Sequence, residues 1–353
     1  MENSLQSKER IDWISKAKGF GILGIVAVHI VQRFDIAFVS SVAYAGMYCV
    51  QLFFIISAYL TFKSLDRKNE EWNTKSYFKY LLHKIFRLMP VLYTACLWHL
   101  IMHCIDLGKF PELRDSIWPN GFFAVTFLNG FSYHFVNPWM NWYVGDLVIF
   151  LALAPLLKKL IDTPKKSVIL FTISIFVGSL STYILSKVGA STGWYFYFWF
   201  PRQFPVLVAG IVFFFLEKNK DDEKIKNTFF TFMFVISFGF LISKSWKPIF
   251  ENHVQYGILL LAFAYTLFNK VETGKTFNWL KILGDNSYGI YLYHGCLLPI
   301  IGGLINKIGF SKSSYSFILC YISVFCLSLI ISRIVNILIE EPFWNFMKRK
   351  LGI

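Results

Sequence analysis

Charged residues are scarce in this sequence of 353 residues, at 16% of the chain against roughly 25% in an average soluble domain. Acidic residues are scarcer still, with 21 Asp and Glu against 35 Lys and Arg, which gives a net charge of +14. Apolar residues make up 56% of the chain, and the mean hydropathy is +0.51. Because one water-soluble core cannot bury so much apolar surface, the composition excludes a soluble enzyme, a disordered chain and a disulfide-rich secreted domain.

Clustered metal ligands and paired cysteines are also lacking. The six cysteines lie in apolar runs without a CxxC pair, so we expect them to pack as small hydrophobic side chains. His99 and His103, at i and i+4 with Cys104 beside them, are two candidate ligands on one helix face. The sequence nominates no third or fourth ligand, and we therefore predict no metal site.

Long apolar runs predict an all-α, polytopic membrane protein with about ten transmembrane helices of roughly 20 residues each. The first run begins at Gly19 and lacks a signal-peptide cleavage site, so it is the first membrane helix. The whole chain, 1–353, is expected to form one membrane domain without an appended soluble domain. The predicted spans are 18–38, 43–62, 88–105, 139–157, 168–187, 200–216, 228–243, 253–268, 286–306 and 314–339.

Loop charges predict the orientation of these helices. Lys and Arg are concentrated in alternate loops, including 158–166, 218–226 and 270–281, which places both termini in the cytoplasm. The excess of basic residues thus indicates membrane topology, and we expect no nucleic-acid partner. A further apolar segment, Ile117 to Tyr133, contains Pro and Gly, and as an eleventh span it would move the Lys-rich loops outside. We interpret it as a re-entrant or interfacial element of the outer face.

Ionisable residues inside the predicted helices are candidates for function, because each costs at least a few kcal/mol in the hydrocarbon. Lys18 and His29 are eleven residues apart, about 16 Å and close to three turns along one helix face. Lys18, a cation at the inner rim, is suited to bind a phosphate-bearing donor, and His29, an imidazole deeper in the membrane, is suited to transfer a proton. The alternative is that Lys18 is a topological anchor and His29 is a buried hydrogen-bonding group. The others are Arg33, Asp35, Arg87, His99, His103, Asp146, Arg202, His294 and Arg333.

Four motifs in order resemble the acyltransferase-3 family of integral membrane acyltransferases, over nearly the whole chain. They are RIDWISKAKGFGILGIVAVH (Arg10 to His29), FFIISAYL (Phe53 to Leu60), HKIFRLMPVLY (His83 to Tyr93) and NSYGIYLYHG (Asn286 to Gly295). Three further segments agree with the family pattern: WYVGDLVIFLALAPLL (Trp142 to Leu157), FPRQFPVLVAGI (Phe200 to Ile211) and IEEPF (Ile339 to Phe343).

Several positions depart from the family pattern. The basic residue of the first helix is usually Arg and here is Lys18, which keeps the charge but loses the planar guanidinium. Ala58 replaces the glycine of the FFxxSG motif. Many members carry a Glu where this chain has Leu147, and Asp146 beside it is rotated by about 100° around the helix.

The resemblance implies transfer of an acyl group, commonly acetyl, from cytosolic acyl-CoA to a hydroxyl of a cell-surface polysaccharide or its lipid-linked precursor. It implies that His29 is the general base, in a protein of the bacterial cytoplasmic membrane. Lys18, Lys84 and Arg87 would hold the CoA phosphates, although Lys84 and Arg87 are equally explained as anchors of the inner face.

The remaining candidate residues surround this expected path. Arg202 or Arg33 is expected to hold the acyl carbonyl oxygen or an acidic sugar, unless Arg33 pairs with Asp35 or snorkels to the surface. Ser57 and Tyr288 are predicted to contact the donor, with helix packing as the alternative for Ser57. Asp146 and His294 are expected at the acceptor site, with a structural role as the alternative for His294.

A second function class uses the same residues. A transporter or flippase of a glycan precursor would place buried Arg and His side chains along its path and would need no thioester donor. The family resemblance favours the acyltransferase, because the motifs are those of enzymes.

Overall fold

The computed structural model of the protein describes residues 2–32, 43–68, 73–107, 122–128, 142–187, 199–218, 252–269, 277–307 and 314–351. These residues form helices and turns, with no strand among them. The helices are α1 (Glu2–Val31), α2 (Cys49–Lys68), α3 (Thr74–Leu107), α4 (Trp142–Leu160), α5 (Pro164–Lys187), α6 (Phe200–Lys218), α7 (Asn252–Asn269), α8 (Asn278–Asp285), α9 (Ser287–Lys307), α10 (Ser314–Val335) and α11 (Glu341–Leu351).

The all-helical class is confirmed for the described part of the chain. Five stretches within it are long and apolar enough to cross a membrane: Asp12–Val31, Tyr44–Arg67, Phe200–Lys218, Ser287–Lys307 and Tyr315–Lys350. Helices α3, α4, α5 and α7 coincide with four other predicted spans, and the predicted span 228–243 lies outside the described residues. The total of ten spans and the cytoplasmic location of both termini stay predictions.

Helix α3 begins well before the predicted start at residue 88. Its first turn is fixed by a reciprocal cap, in which Asn73 Oδ1 accepts a hydrogen bond from Ser76 N–H at 2.8 Å and Asn73 N–H donates to Ser76 Oγ at 3.0 Å. Only the part of a helix that lies in lipid requires apolar side chains, whereas the backbone hydrogen bonds of the helix continue into the polar region. The sequence pattern therefore predicted the apolar part of α3 and missed its polar first turns.

The last predicted span, 314–339, also ends differently. Helix α10 stops at Val335, a π-helical turn follows over Asn336–Glu340, and α11 continues the chain to Leu351. The apolar residues continue through the π-turn, so the apolar run that predicts the helix does not reveal it. Its effect is to rotate the residues that follow it relative to a continuous α-helix.

Helix α2 lies at the centre of the bundle and packs against α1, α4, α6 and α7. Its side chains Leu52, Phe54, Ile55 and Ile56 are fully buried. Gly210 of α6 brings the two backbones together, because an added Cβ there would overlap the carbonyl oxygen of Ile55. Close helix approach through small residues is a common way to pack helices in lipid, where apolar surface alone gives no driving force.

Ion pairs join the carboxyl-terminal ends of three helices around Asp66 of α2. Its carboxylate accepts hydrogen bonds from Lys158 of α4 at 2.7 Å and from Lys218 of α6 at 2.8 Å. Beside it, Glu217 accepts a hydrogen bond from the Tyr59 hydroxyl and lies 3.7 Å from Lys63 Nζ. The loop charges predict these three ends to share one membrane face, and the ion pairs require that they do.

The segment Ile117 to Tyr133 is described only over residues 122–128. There a single helical turn, Phe122–Val125, is followed by Phe127 with φ of 62°, in the left-handed region that rarely suits a bulky side chain. The turn is bound to α3 by the Tyr93 hydroxyl, which donates to the Val125 carbonyl at 3.0 Å. The other residues of this segment lie outside the described ones, so its assignment as a re-entrant or interfacial element stays a prediction.

The contact at Gly210 predicts that Gly210→Ala destabilises the protein by about 1–3 kcal/mol, because α2 and α6 must separate to admit the methyl group. The matched control is Gly303→Ala in α9, where an added Cβ meets nothing within 4 Å. Thermal unfolding in detergent measures the difference. Equal melting temperatures for the two variants would contradict the close packing of α2 on α6.

Candidate active site

A cavity of about 610 Å³ runs between α1, α2, α3, α4, α8, α9 and the end of α10. It contains each of the five residues predicted to contact the donor, although they lie on four different helices. Lys18, Ser57, Lys84, Arg87 and Tyr288 all line it. A cavity of this volume falls within the usual range for small-molecule and cofactor sites.

One end of the cavity, which we call the cationic mouth, is formed by Lys18, Lys84 and Arg87. Lys84 and Arg87 are three residues apart on α3 and so lie on one helix face. Lys18 of α1 interacts electrostatically with Arg87 and with Asp285, the last residue of α8. The mouth therefore combines positive charge from two helices at a single opening.

Helix α8 is held against α1 beside this mouth. Ser15 Oγ donates to Asp285 Oδ1 at 2.6 Å, and Asp12 forms ion pairs with Lys16 at 3.3 Å and with Lys281. The hydrogen bond to Asp12 raises the pKa of the Lys281 ammonium above its usual range. At the end of α8, Asn286 Nδ2 donates to Ile282 O at 2.8 Å, and Ser287 Oγ donates to Gly284 O at 2.7 Å. They close α8 rather than cap the start of α9.

Three tyrosines, Tyr143, Tyr288 and Tyr291, line the cavity. The Tyr143 and Ser57 hydroxyls share a hydrogen bond of 2.8 Å, and Tyr143 packs edge-on against Tyr291 with 5.7 Å between ring centroids. Tyr288 donates to the Leu88 carbonyl at 3.0 Å. Ser57 and Tyr288 thus line the cavity, while their hydroxyls also bind neighbouring helices.

His29 lies one turn beyond Ile25, the most distal residue of α1 that lines the cavity. Its ring centroid is 5.1 Å from that of His294, which in turn lies 5.9 Å from Tyr291. The Nδ1 atom of His294 is 3.1 Å from the Ile290 carbonyl, which requires an N–H at Nδ1. In the neutral ring, the Nε2 atom is then a hydrogen-bond acceptor.

Buried polar atoms without partners are gathered at this deep end. Among the described residues, both oxygens of Asp146, the Tyr291 hydroxyl and His294 Nε2 have no hydrogen bond, and Asp146 and His294 have no exposed surface. Asp146 interacts electrostatically with Tyr291. A buried group left unbonded costs about 1–3 kcal/mol, so a cluster of such groups is expected where a substrate binds and not in a purely structural core.

Arg202, one of the two cations expected to hold the acyl carbonyl oxygen or an acidic sugar, lies apart from these groups. Arg202 is half-buried in the first turn of α6 and does not line the cavity. Its backbone carbonyl lies 2.9 Å from His253 Nε2, and the next residue, Gln203, accepts a hydrogen bond from Gln51 at 3.2 Å inside the bundle. Arg33, the other predicted cation, lies outside the described residues.

A metal site finds no support in the described part of the chain, where no group of three His, Cys, Asp or Glu side chains is arranged to bind an ion. His99, one of the two candidate ligands, interacts electrostatically with His294. The side chains of His103 and Cys104 are outside the described residues.

Sequence analysis missed several residues of the cavity wall. Tyr291 was part of a quoted motif but was not given a role, and neither was Asn336 or Glu340. In the IEEPF motif it is Glu340 that lines the cavity, while Glu341 is exposed. The motif marked the position, but only the π-turn decides which of the two acids faces inward.

Comparison with known protein families finds one match, to the Acyl_transf_3 acyltransferase domain, over residues 11–336. Comparisons with curated proteins and with solved structures find no match. The matched region includes all the helices that form the cavity except for the last residues of the π-turn.

The unbonded carboxyl of Asp146 predicts that Asp146→Val stabilises the folded protein by about 1–3 kcal/mol, because an apolar side chain removes two unsatisfied oxygens. Asp162→Val is the control, since Asp162 is exposed and its ion pair with Lys166 contributes little. Melting temperatures in detergent compare the two. A lower melting temperature for Asp146→Val would mean that its carboxyl has a stabilising partner.

Proposed function

The chain belongs to the acyltransferase-3 family, and we propose from this premise that it is an integral membrane O-acyltransferase using cytosolic acyl-CoA, with acetyl-CoA as the simplest donor. The acceptor is a hydroxyl of a cell-surface polysaccharide or of its lipid-linked precursor, at the bacterial cytoplasmic membrane. The observation that carries the proposal is one cavity with the cationic mouth and Tyr291 on its wall, beyond which His294 lies 5.9 Å from Tyr291 and His29 lies 5.1 Å from His294, measured between ring centroids.

The cationic mouth fits the phosphates of the donor. Lys18, Lys84 and Arg87 supply positive charge from two helices, and phosphate groups bind such clusters through charge-assisted hydrogen bonds. Lys18 and His29 lie on one continuous helix, about 16 Å apart along its axis. An extended thioester anchored by its phosphates at the mouth would therefore place its acyl group near the tyrosines of the deep end.

The chemistry assigned to the deep end is a direct acyl transfer. His29 takes the proton of the acceptor hydroxyl while that oxygen attacks the thioester carbonyl, and the new C–O bond forms as the C–S bond breaks. The imidazolium then returns the proton to the leaving thiolate, which gives the ester and CoA-SH. Tyr291 lines the cavity and its hydroxyl is unbonded among the described residues, so it is suited to donate to the carbonyl oxygen as charge develops.

Two roles assigned from sequence are refined by this geometry. Asp146 and His294, expected at the acceptor, belong to the unbonded deep-end cluster, and we propose that they contact the acceptor hydroxyl and orient His29. Arg202 was expected to stabilise the oxyanion, and that role stays a prediction; we propose Tyr291, which lines the cavity, as a further donor to the oxyanion. A contact between Arg202 and an acidic group of the acceptor stays a prediction.

A glycan-precursor transporter remains the alternative in a different function class. It would use the same cations and histidines but would release no CoA. Family membership favours the acyltransferase.

We expect His29→Ala to lower acyl transfer by about 10²–10⁴-fold, because the acceptor hydroxyl loses its general base. The assay incubates purified protein in lipid with radiolabelled acetyl-CoA and a lipid-linked glycan extract, and measures free CoA and labelled glycan. His83→Ala is the control, since His83 contacts Trp344 and does not line the cavity. Normal labelling of the glycan by His29→Ala would refute the assignment of His29 as the general base. If the wild type releases no CoA from any of several acyl donors, the transporter would be favoured instead.

We expect Arg87→Ala to weaken the binding of acetyl-CoA by about 10–100-fold, since a hydrogen bond to a charged group is worth about 1.5–3 kcal/mol. Arg67→Ala is the matched control, because Arg67 is an exposed arginine in the last turn of α2 that does not line the cavity. Equilibrium binding to the detergent-solubilised variants measures the effect. Equal losses in both variants would indicate general charge attraction rather than a phosphate site.

A further inference from the structure

The π-turn between α10 and α11 aligns three polar side chains on one face. Ser332, Asn336 and Glu340 all line the cavity at successive intervals of four residues. In an α-helix each interval overshoots a full turn by about 40°, so a third residue would drift off the face. The wider π-turn between Asn336 and Glu340 falls short of a full turn and corrects the drift. The next acid, Glu341, is exposed and does not line the cavity.

The side chains of this polar face form hydrogen bonds within the protein, but one carboxylate oxygen of Glu340 can still accept a hydrogen bond. Asn336 Nδ2 donates to Glu340 Oε2 at 3.2 Å, and Ser332 Oγ donates weakly to the Asn286 carbonyl at 3.4 Å. The second carboxylate oxygen of Glu340 has no hydrogen bond to any described residue. An ionised carboxylate can only accept hydrogen bonds, so the group that satisfies it must carry an N–H or O–H.

Another wall of the same cavity, formed by α1 and α3, carries Lys18, Lys84 and Arg87. A purely anionic ligand would be attracted by these cations but repelled by Glu340. A ligand that satisfies both walls has phosphate groups at one part and hydrogen-bond donors at another. A nucleotide has this combination, since its ribose hydroxyls and the exocyclic amino group of adenine are donors.

We propose that the Ser332–Asn336–Glu340 face binds the nucleoside part of the donor, with the Glu340 carboxylate accepting a hydrogen bond from a ribose hydroxyl or from the adenine amino group. The inference rests on the proposed function and specifies its donor. A free nucleotide-bearing thioester uses both walls of the cavity, whereas an acyl group carried on the phosphopantetheine of a carrier protein uses the cations alone.

The test compares two probes, CoA and 4′-phosphopantetheine, which lacks the nucleoside, in equilibrium binding to the full-length protein in detergent. The variants are wild type, Glu340→Gln and the adjacent acid Glu341→Gln. We expect Glu340→Gln to weaken CoA binding about tenfold and to leave the affinity for 4′-phosphopantetheine unchanged, because one charge-assisted hydrogen bond to the nucleoside is lost. Glu341→Gln should match wild type for both probes.

The other outcomes overturn the inference. Tighter CoA binding by Glu340→Gln would show that the carboxylate repels the phosphates, and unchanged CoA binding would show that it does not contact the nucleoside. An equal loss for both probes would show a general disturbance of the cavity. If Glu340→Gln does not fold, Glu340→Asp replaces it, with a selective loss for CoA again expected. Wild type that binds neither probe would refute the proposed donor as well, whereas wild-type CoA binding that is insensitive to Glu340 would overturn the nucleoside site alone.

Discussion

Every backbone N–H and C=O inside a lipid bilayer must be hydrogen-bonded within the protein, and this constraint governs the structure. It explains why the described chain is helical and why the polar side chains left inside are so informative. Most of them are bonded: Gln51 to Gln203, Tyr59 to Glu217, and Ser57 to Tyr143. Against this background, the unbonded groups of Asp146, Tyr291 and His294 mark one place where the protein itself does not complete its hydrogen bonding.

Helix-breaking features supply the functional surfaces in an otherwise regular bundle. Pro90 lies inside α3 between the cations of the mouth and Thr94, whose hydroxyl donates back to the Pro90 carbonyl at 2.9 Å. Pro90 has no N–H, so the Phe86 carbonyl four residues earlier loses its ladder hydrogen bond, while the Thr94 hydroxyl donates to the carbonyl of Pro90 itself. The π-turn at the end of α10 is a second irregularity. It interrupts the regular α-helix and thereby keeps Glu340 on the cavity wall. Both irregularities border the cavity.

Sequence patterns predicted the parts of this protein that depend on the composition of single helices. Apolar length located the helices, and family motifs selected Lys18, Ser57, Lys84, Arg87 and Tyr288, which the fold brings to one cavity. The parts that depend on helix phase or on contacts between helices were not predicted. Glu340 rather than Glu341 faces the cavity because of a π-turn that apolar spacing does not reveal, and the pairing of His29 with His294 depends on how α1 packs against α9.

The order of groups along the cavity constrains the direction of the proposed reaction. The cations lie at one end, and the loop charges predict that this end faces the cytoplasm, where acyl-CoA is found. The His29–His294 pair lies beyond the opposite end, past the ring of Tyr291. A donor held by its phosphates at the mouth can bring only its acyl end to the histidines, so the acceptor hydroxyl must approach from the other side of the tyrosines. Transfer of the acyl group and its passage through the membrane domain would then be one event, which requires no movement of the whole CoA molecule across the bilayer.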